Sequence, residues 1–396
     1  MKSKNLNRIL TTGAAILAIL YIFPNDYKGF IPYGNIILNI VAALAIVVGY
    51  VLYFSKILAL IKKNPSFLLP FIIAVISTVI NNGDKIIAIS WILKILSIFL
   101  LCAIFLDSKK RFVNIAESIS FFILIINALV VVVVGRPLAY TETAGEIYFI
   151  FIGNVGKLLA ANMLLFFISR SSKTKHVTAL HYALYTLTLY QLSSSATYFT
   201  GCLILLVSLF ISSIKNKKRT FRQPIAEITC FSILLIACIA TVFGFSATTL
   251  SEVFNKSMTL SGRTEIWKNS LALIRKHPLF GIGYYSSDFM LQITRVTGAT
   301  HAHNQLLQII LNSGLISLPI YFFYLMKIIK LKSHNNNDPC YASYMKYLTA
   351  IMIMGITTCP FDGFFYLSVL AVTNYRPSLA TQSKTLNTKK ALNIHA

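Results

Sequence analysis

Charged residues are scarce in this chain, and acidic residues are the scarcest. Only 12% of its 396 residues are Asp, Glu, Lys or Arg, and 12 acidic residues stand against 36 Lys and Arg. Hydrophobic residues make up 56% of the chain, and the mean hydropathy is +0.71. Two or three soluble domains, which the length alone would suggest, could not bury this much apolar surface. The formal charge of +24 then indicates cytoplasmic anchoring of a membrane protein rather than a nucleic-acid partner.

Cysteine patterns and metal motifs are also missing. Four of the six cysteines (Cys102, Cys202, Cys230 and Cys238) fall inside apolar runs, and no CxxC or HExxH motif occurs. These cysteines are therefore predicted to be packing residues, and neither a metal centre nor another cofactor is expected. No small-residue cleavage site follows the first apolar run, which predicts a retained signal-anchor helix.

Long apolar runs dominate what is present. They predict an all-α, polytopic integral membrane protein with about twelve transmembrane helices of roughly 15–25 residues each. The runs are continuous rather than alternating, which argues against a transmembrane β-barrel. The predicted starts are Ile9, Asn35, Phe67, Ile86, Phe112, Ile147, Val177, Ala196, Ile225, Asn304, Tyr341 and Phe361.

The loop charges give an orientation. Lys and Arg cluster in every second connection and at both ends of the chain, which places both termini in the cytoplasm. The predicted regions are helices 1–9 in residues 1–245, a large outer loop in 246–302, helices 10–12 in 303–377 and a cytoplasmic tail in 378–396. The alternate loops hold Asp26, Asp84, Glu142, Glu146, Glu252, Glu265, Asp288 and Asp362.

The outer loop contains a predicted amphipathic helix. Ser261 can cap a helix that runs to about Lys276, where Pro278 stops it. This helix either lies flat at the membrane surface, with its tryptophan at headgroup level, or packs on the protein. Tyr284 and Tyr285, which follow it, suit a membrane interface. The apolar side of the helix consists of Ile266, Trp267, Leu271 and Ile274.

The start of the tenth span carries a polar stripe. If the helix begins by His301, then His301, Asn304, Gln308 and Asn312 lie on one side, and His303 points away from His301. Amides inside lipid must face protein or water. The stripe is therefore interpreted as a site that opens onto the outer loop, with an interhelical hydrogen-bonding seam as the alternative.

Histidines and arginines together suggest a chemistry. A histidine can take a proton from a hydroxyl at neutral pH, and an arginine can grip phosphate oxygens bidentately. At the outer leaflet this combination suits glycosyl transfer from a lipid-linked pyrophosphate.

Three segments in order, GRTEIW, HPLFGIGYYSSDF and HAHNQLLQIILNSGLISL, resemble the hallmark region of the O-antigen ligase and O-antigen polymerase superfamily. The resemblance implies a large periplasmic loop between helices 9 and 10 and a multi-pass protein of the bacterial inner membrane. It implies metal-independent, inverting transfer of a glycan from undecaprenyl pyrophosphate to a sugar hydroxyl of lipid A–core. By this resemblance His303 is the base, assisted by His301, and Arg263 binds the pyrophosphate. By the same resemblance Arg275 and Arg295 add to the positive electrostatic field that Arg263 creates at the pyrophosphate.

One departure from the family pattern concerns an arginine near the outer end of the eighth span. Residues 192–198 read LSSSATY and contain none. The candidate substitutes are Arg136, Lys157 and Arg295, with Asn304 and Gln308 in supporting roles. The partners implied are the lipid-linked donor, the lipid A–core acceptor and membrane lipids, with no nucleic acid.

Other readings remain open at this stage. A polymerase would use the same donor with a second lipid-linked repeat as acceptor, and a flippase would carry out no covalent chemistry. Lys157 is either functional or snorkels to an interface, whereas Lys94 is interpreted as structural. Asp362 is interpreted as the N-terminal residue of a helix, with a role in the site as the alternative.

Overall fold

The computed structural model describes residues 2–23, 34–141, 145–169, 173–193, 195–214, 263–294, 301–334, 339–356 and 358–375. Nearly all of these residues are helical, which confirms the helical part of the predicted fold class. Described helices begin near each predicted span start except the ninth, near Ile225, which lies outside the described residues.

The helices are labelled here in chain order. Before residue 215 they are α1 (Lys2–Ile22), α2 (Gly34–Lys63), α3 (Pro65–Ile80), α4 (Lys85–Asp107), α5 (Lys109–Leu129), α6 (Ile152–Ser169), α7 (Lys175–Leu192) and α8 (Ala196–Ile214). From residue 263 onward they are α9 (Arg263–Lys276), α10 (Ser287–Thr294), α11 (Gln305–Ser313), α12 (Leu318–His334), α13 (Pro339–Gly355) and α14 (Gly363–Asn374).

Several of these helices are long and apolar enough to cross a bilayer. Within the described residues there are five, or six if one bent pair forms a single span. The five lie in α1, α2, α4, α5 with its extension, and α6, and shorter apolar helices occupy 65–80, 197–211 and 363–374. These lengths support a multi-pass membrane protein, and the figure of about twelve spans stays a prediction.

Two helices form the centre of the packing. On α4 the side chains from Ile98 to Ile104 are almost completely buried, and α4 contacts α1, α2, α3, α5 and α14. On α6 the same holds for most side chains from Val155 to Phe166, and α6 contacts α5, α7, α8 and α13. Such helices are apolar all round because protein covers every face.

The segment before α6 departs from the prediction. Strands β1 (Ala139–Thr141) and β2 (Gly145–Ile147) pair antiparallel, with Tyr140 opposite Glu146. The sixth helix therefore begins at Ile152 rather than near Ile147. Tyr, Thr and Ile favour extended backbone, and the apolar window did not separate this preference from that of the helix that follows.

The tenth span is broken, where the sequence predicted one continuous helix. Helix α11 ends at Ser313, with Gly314 as its C-cap, and the segment from Leu315 to Tyr324 turns away from it by 112°. Gly314 has φ +71°, and a Cβ there would meet the Leu279 carbonyl oxygen at 1.9 Å. A glycine is required because only it adopts this conformation and admits the neighbouring backbone so closely.

A buried ionic cluster joins α5, α6 and α7. The Glu117 side chain is 2% exposed, accepts a hydrogen bond from Lys173 and lies 2.6 Å from Nε2 of His181. The His181 ring stacks between Phe121 and Phe166, with centroid distances of 4.1 and 4.3 Å. A buried carboxylate of this kind is tolerated because both of its oxygens have partners.

Candidate active site

Helix α9 packs on the protein. Ile266, Trp267 and Ile274 are at most 9% exposed, whereas Glu265 and Lys268 are exposed. The apolar side belongs to a buried cluster with residues of the following loop and of α11. The structure therefore favours packing over a surface-lying helix with its tryptophan at headgroup level, because the Trp267 ring fills space between protein elements.

The loop after α9 is tied to the end of α3. Ser77 Oγ donates to the Phe280 carbonyl oxygen at 2.6 Å, and the Tyr284 N–H donates to Thr78 Oγ1 at 2.7 Å. Asp84 N donates in turn to the Tyr284 carbonyl oxygen at 2.9 Å. The charge pattern had assigned the Asp84 connection and this loop to one side of the membrane, and the contacts place the two connections together.

Both tyrosines of this loop contact other protein residues rather than a membrane interface. Tyr284 is 5% exposed, and its ring lies parallel to Trp91 at 5.6 Å. The Tyr285 hydroxyl bonds to the Gln308 amide. The interface prediction was wrong for both residues, because nearby aromatic and amide groups satisfy them.

The two histidines lie in a turn that precedes α11. Asn304 is the N-cap of α11, and its Oδ1 accepts from Leu307 N at 3.1 Å. His303 has φ +49°, a left-handed conformation that is uncommon for a residue with a side chain. As a result the rings of His301 and His303 meet edge to face, with centroids 4.2 Å apart. The prediction that the helix begins by His301 and separates the rings was wrong, because the helix begins at Gln305, after the Asn304 cap, and both histidines precede it.

The amides of the polar stripe form a hydrogen-bonded seam. Gln308 Oε1 accepts from Ala302 N at 2.9 Å, and Gln308 Nε2 donates to Asn312 Oδ1 at 2.9 Å. Asn304 Nδ2 donates to the Ile356 carbonyl oxygen at 3.0 Å. Asn304 and Gln308 therefore hold the histidine turn in place. This is the structural role that the sequence offered as the alternative to a site, a hydrogen-bonding seam between segments.

Charges from two separate helices, on Lys157 and Arg263, act on His301. Arg263, at the start of α9, is partly buried, and this burial lowers its pKa, although an arginine keeps its charge. The pKa of His301 lies well below its ordinary value because of burial first, and then because of the neighbouring His303 and the charges of Lys157 and Arg263. At neutral pH His301 is therefore a neutral imidazole.

Lys157 reaches this site from α6. Its Nζ donates to Asn154 Oδ1 at 3.1 Å, and its charge acts on His301, Cys359 and Asp362. Of the cations considered as substitutes for the missing arginine, Lys157 is the one whose influence on the histidine turn is visible in the described residues.

Asp362 is the N-cap of α14, as predicted. Its Oδ1 accepts from Phe365 N at 2.9 Å. Burial raises the pKa of Asp362, and the charges of Lys157 and Lys94 lower it. Lys94 lies 4.8 Å from the centre of the Trp91 ring, so this lysine, interpreted from the sequence as structural, influences the same outer region.

The other proposed arginines are placed differently. Arg275 is exposed and twelve residues beyond Arg263, which is about 18 Å along the helix and roughly 120° around it. This separation argues against Arg263 and Arg275 binding the same pyrophosphate. Arg136 is exposed next to the β-hairpin, and Arg295 lies outside the described residues.

Sequence reasoning missed Cys359 and undervalued Tyr285. Burial raises the pKa of the Cys359 thiol to about 12, and its sulfur lies 3.9 Å from Gln308 Oε1. A cysteine far along the chain carries no local signal of such a contact. Across the described stretches no group of three or more His, Cys, Asp or Glu side chains could hold a metal ion.

The fold and the site together describe a helical protein with several apolar helices long enough to cross a membrane, in which the charge of Arg263 on α9 acts on the histidine turn. Comparison with known families is consistent with this description. A family model described as O-antigen ligase matches residues 180–322, a little over a third of the chain. The match includes α9, the histidine turn and α11, and it confirms the resemblance to the O-antigen ligase superfamily. Members of that family are glycosyltransferase-like enzymes of polysaccharide synthesis. No curated protein matches the chain.

Proposed function

We propose that this protein is an inverting, metal-independent glycosyltransferase of the O-antigen ligase type. It transfers a glycan from undecaprenyl pyrophosphate to a sugar hydroxyl of lipid A–core. The reaction takes place at the periplasmic side of the bacterial inner membrane, with both termini in the cytoplasm. The observation that carries the proposal is that Arg263 acts electrostatically on His301, whose ring contacts His303, inside the segment that matches the family.

The residues have distinct roles in the proposed step. An imidazole nitrogen of His303 takes the proton of the acceptor hydroxyl, and His301 orients that ring through their contact. The acceptor oxygen then bonds to the anomeric carbon from the face opposite the phosphate. The carbon–oxygen bond to pyrophosphate breaks, and the electron pair stays on the leaving pyrophosphate. Arg263 neutralises the charge that develops there.

The depressed pKa of His301 supports this scheme. A proton on His301 would bring a second positive charge close to His303 and would oppose proton transfer to it. Burial and the nearby cations keep His301 neutral, so His303 can gain a proton without a charged neighbour in ring contact.

The decisive experiment combines purified protein, lipid-linked glycan and lipid A–core. Glycan attached to the core is expected for a ligase. Lengthened lipid-linked chains with an unchanged core would overturn ligation in favour of the polymerase alternative. Absence of any new covalent product, with transport of lipid-linked glycan, would favour a flippase.

Two variants test the assigned roles. His303→Ala should lower kcat by about 10²–10⁴-fold, the usual contribution of a general base. Arg263→Gln should raise the donor KM by about 10–100-fold because charge-assisted hydrogen bonds to phosphate are lost. Lys268→Gln, an exposed change on the same helix as Arg263, is the matched control and should leave both constants unchanged. Normal turnover in His303→Ala would remove the proposed base.

A further inference from the structure

We propose that Tyr285 is a positioning residue for the histidine turn, acting through Gln308. The proposal rests on the function proposed above, since it concerns the same site. Tyr285 lies in the loop between α9 and α10, whereas Gln308 lies on α11 and contacts the turn directly.

The hydrogen bonds of Gln308 fix the orientation of its amide. Ala302 N, which lies between the two histidines, is a donor and needs an oxygen, and it bonds to Gln308 Oε1 at 2.9 Å. On the other side Asn312 Oδ1 accepts from Gln308 Nε2 at 2.9 Å. A rotated amide would face the Ala302 N–H with its own N–H group. Only one orientation of the Gln308 amide therefore gives the Ala302 N–H a hydrogen-bond acceptor.

The Tyr285 hydroxyl holds both ends of this amide. It lies 2.8 Å from Nε2 and 3.1 Å from Oε1 of Gln308. A hydroxyl can accept and donate, so it suits either end of the correctly oriented amide. The tyrosine ring packs against the apolar side of α9 and against Phe289, with a centroid distance of 5.6 Å to the latter. The outer loop thereby reaches the peptide between His301 and His303 through two side chains.

The turn needs this support because its backbone is strained. The left-handed conformation of His303 is costly for a residue with a Cβ and persists only when the surroundings determine it. On its C-terminal side the turn is held by the Asn304 cap and by the bond from Asn304 Nδ2 to the Ile356 carbonyl oxygen. On the side of Ala302, within the described residues, the turn is supported by Gln308, which is held in turn by Tyr285.

Removal of the hydroxyl tests the proposal with little disturbance to packing. Tyr285→Phe keeps the ring and should lower kcat by about tenfold, with the donor KM changed less than twofold. The imidazoles would become less well aligned and less buried. The pKa of His301 should then rise toward its ordinary value, so the acidic limb of the kcat profile should move to higher pH.

A matched control removes a buried hydroxyl elsewhere. The Tyr185 hydroxyl donates to Asn162 Oδ1 at 2.7 Å, among helices α5 to α7. Tyr185→Phe should lower thermal stability and leave the pH profile of kcat unchanged. A shift of the profile in both variants would show that any lost hydroxyl has this effect and would overturn the positioning role.

A double variant tests whether the two residues act together. Gln308→Met should lower kcat at least as much as Tyr285→Phe, and the combined variant should resemble Gln308→Met alone, because the hydroxyl acts through the amide. Effects that multiply independently would overturn the coupling.

A readout that does not depend on activity separates this proposal from the proposed function. The ring nitrogens of His301 and His303 can be followed by nitrogen-15 NMR during a pH titration and assigned with His301→Gln. In Tyr285→Phe the His301 titration should move to higher pH even if the wild type transfers no glycan, in which case only the proposed function would fail. Titrations identical to those of the wild type would overturn the positioning role.

Discussion

Neutralisation of Lys157 should change the pH dependence of the reaction. The positive charge of Lys157 disfavours a proton on His301 and contributes to the low pKa of that residue. Lys157→Gln removes this charge while keeping a polar side chain. The pKa of His301 should therefore rise, and a larger fraction of molecules should carry an imidazolium at mildly acidic pH.

The size of the effect follows from Coulomb's law. For a representative separation of about 10 Å, two unit charges interact by about 1.7 kcal/mol at an effective dielectric constant of about 20, which corresponds to a little over one pKa unit. Water in the site reduces this value, down to about 0.3 units at the dielectric constant of bulk water. We therefore expect the acidic limb of the kcat profile to move up by about half a unit to one unit.

The assay is glycan transfer measured between about pH 4.5 and pH 8, with Lys268→Gln as the exposed control. The depressed pKa of His301 also affects stability, with a defined sign. The neutral imidazole contributes stability above about pH 6.5, and this contribution is lost as the pH falls through the folded-state pKa. Lys157→Gln should therefore lose less stability on acidification than the wild type. An acidic limb that stays in place or moves to lower pH would refute the electrostatic link between Lys157 and His301.

Two further predictions concern the fold. Glu117→Gln should lower the free energy of unfolding by about 3 kcal/mol, because Lys173 loses its buried counter-charge and His181 loses the carboxylate oxygen it contacts, and thermal unfolding in detergent would measure this. Unchanged stability would show that the cluster contributes nothing net. Gly314→Ala should destabilise the break after α11 by more than about 2 kcal/mol, because a Cβ would collide with the Leu279 carbonyl and the left-handed φ is unfavourable. A Gly314→Ala protein as stable as the wild type would contradict the close approach of the two backbones.

Much of the helical framework was predictable from local sequence. The starts near Asn35, Phe67 and Ile86 agree with described helices because long apolar runs favour helices whatever the rest of the chain does. The N-cap role of Asp362 was equally local, since it depends on the next helical turn. The β-hairpin before Ile152 was missed because its apolar residues merged with those of the following helix.

The candidate site was predictable only as a set of residues. The sequence indicated Arg263, His301 and His303 as chemical groups, and helical spacing then suggested a wrong geometry for the two histidines. Spacing assumes a continuous helix, whereas the Asn304 cap and the left-handed His303 place the pair in a turn.

The sequence by itself determined the membrane class of the protein, most helix positions and the residue types available for chemistry, because hydrophobic runs and charge patterns act over short stretches of chain. Only the tertiary structure decided that the histidine rings meet, that Gln308 and Tyr285 support them, and that Lys157 influences them from a helix far earlier in the chain. These relations depend on contacts between segments widely separated in sequence, which are set by how the helices pack and which no local pattern encodes.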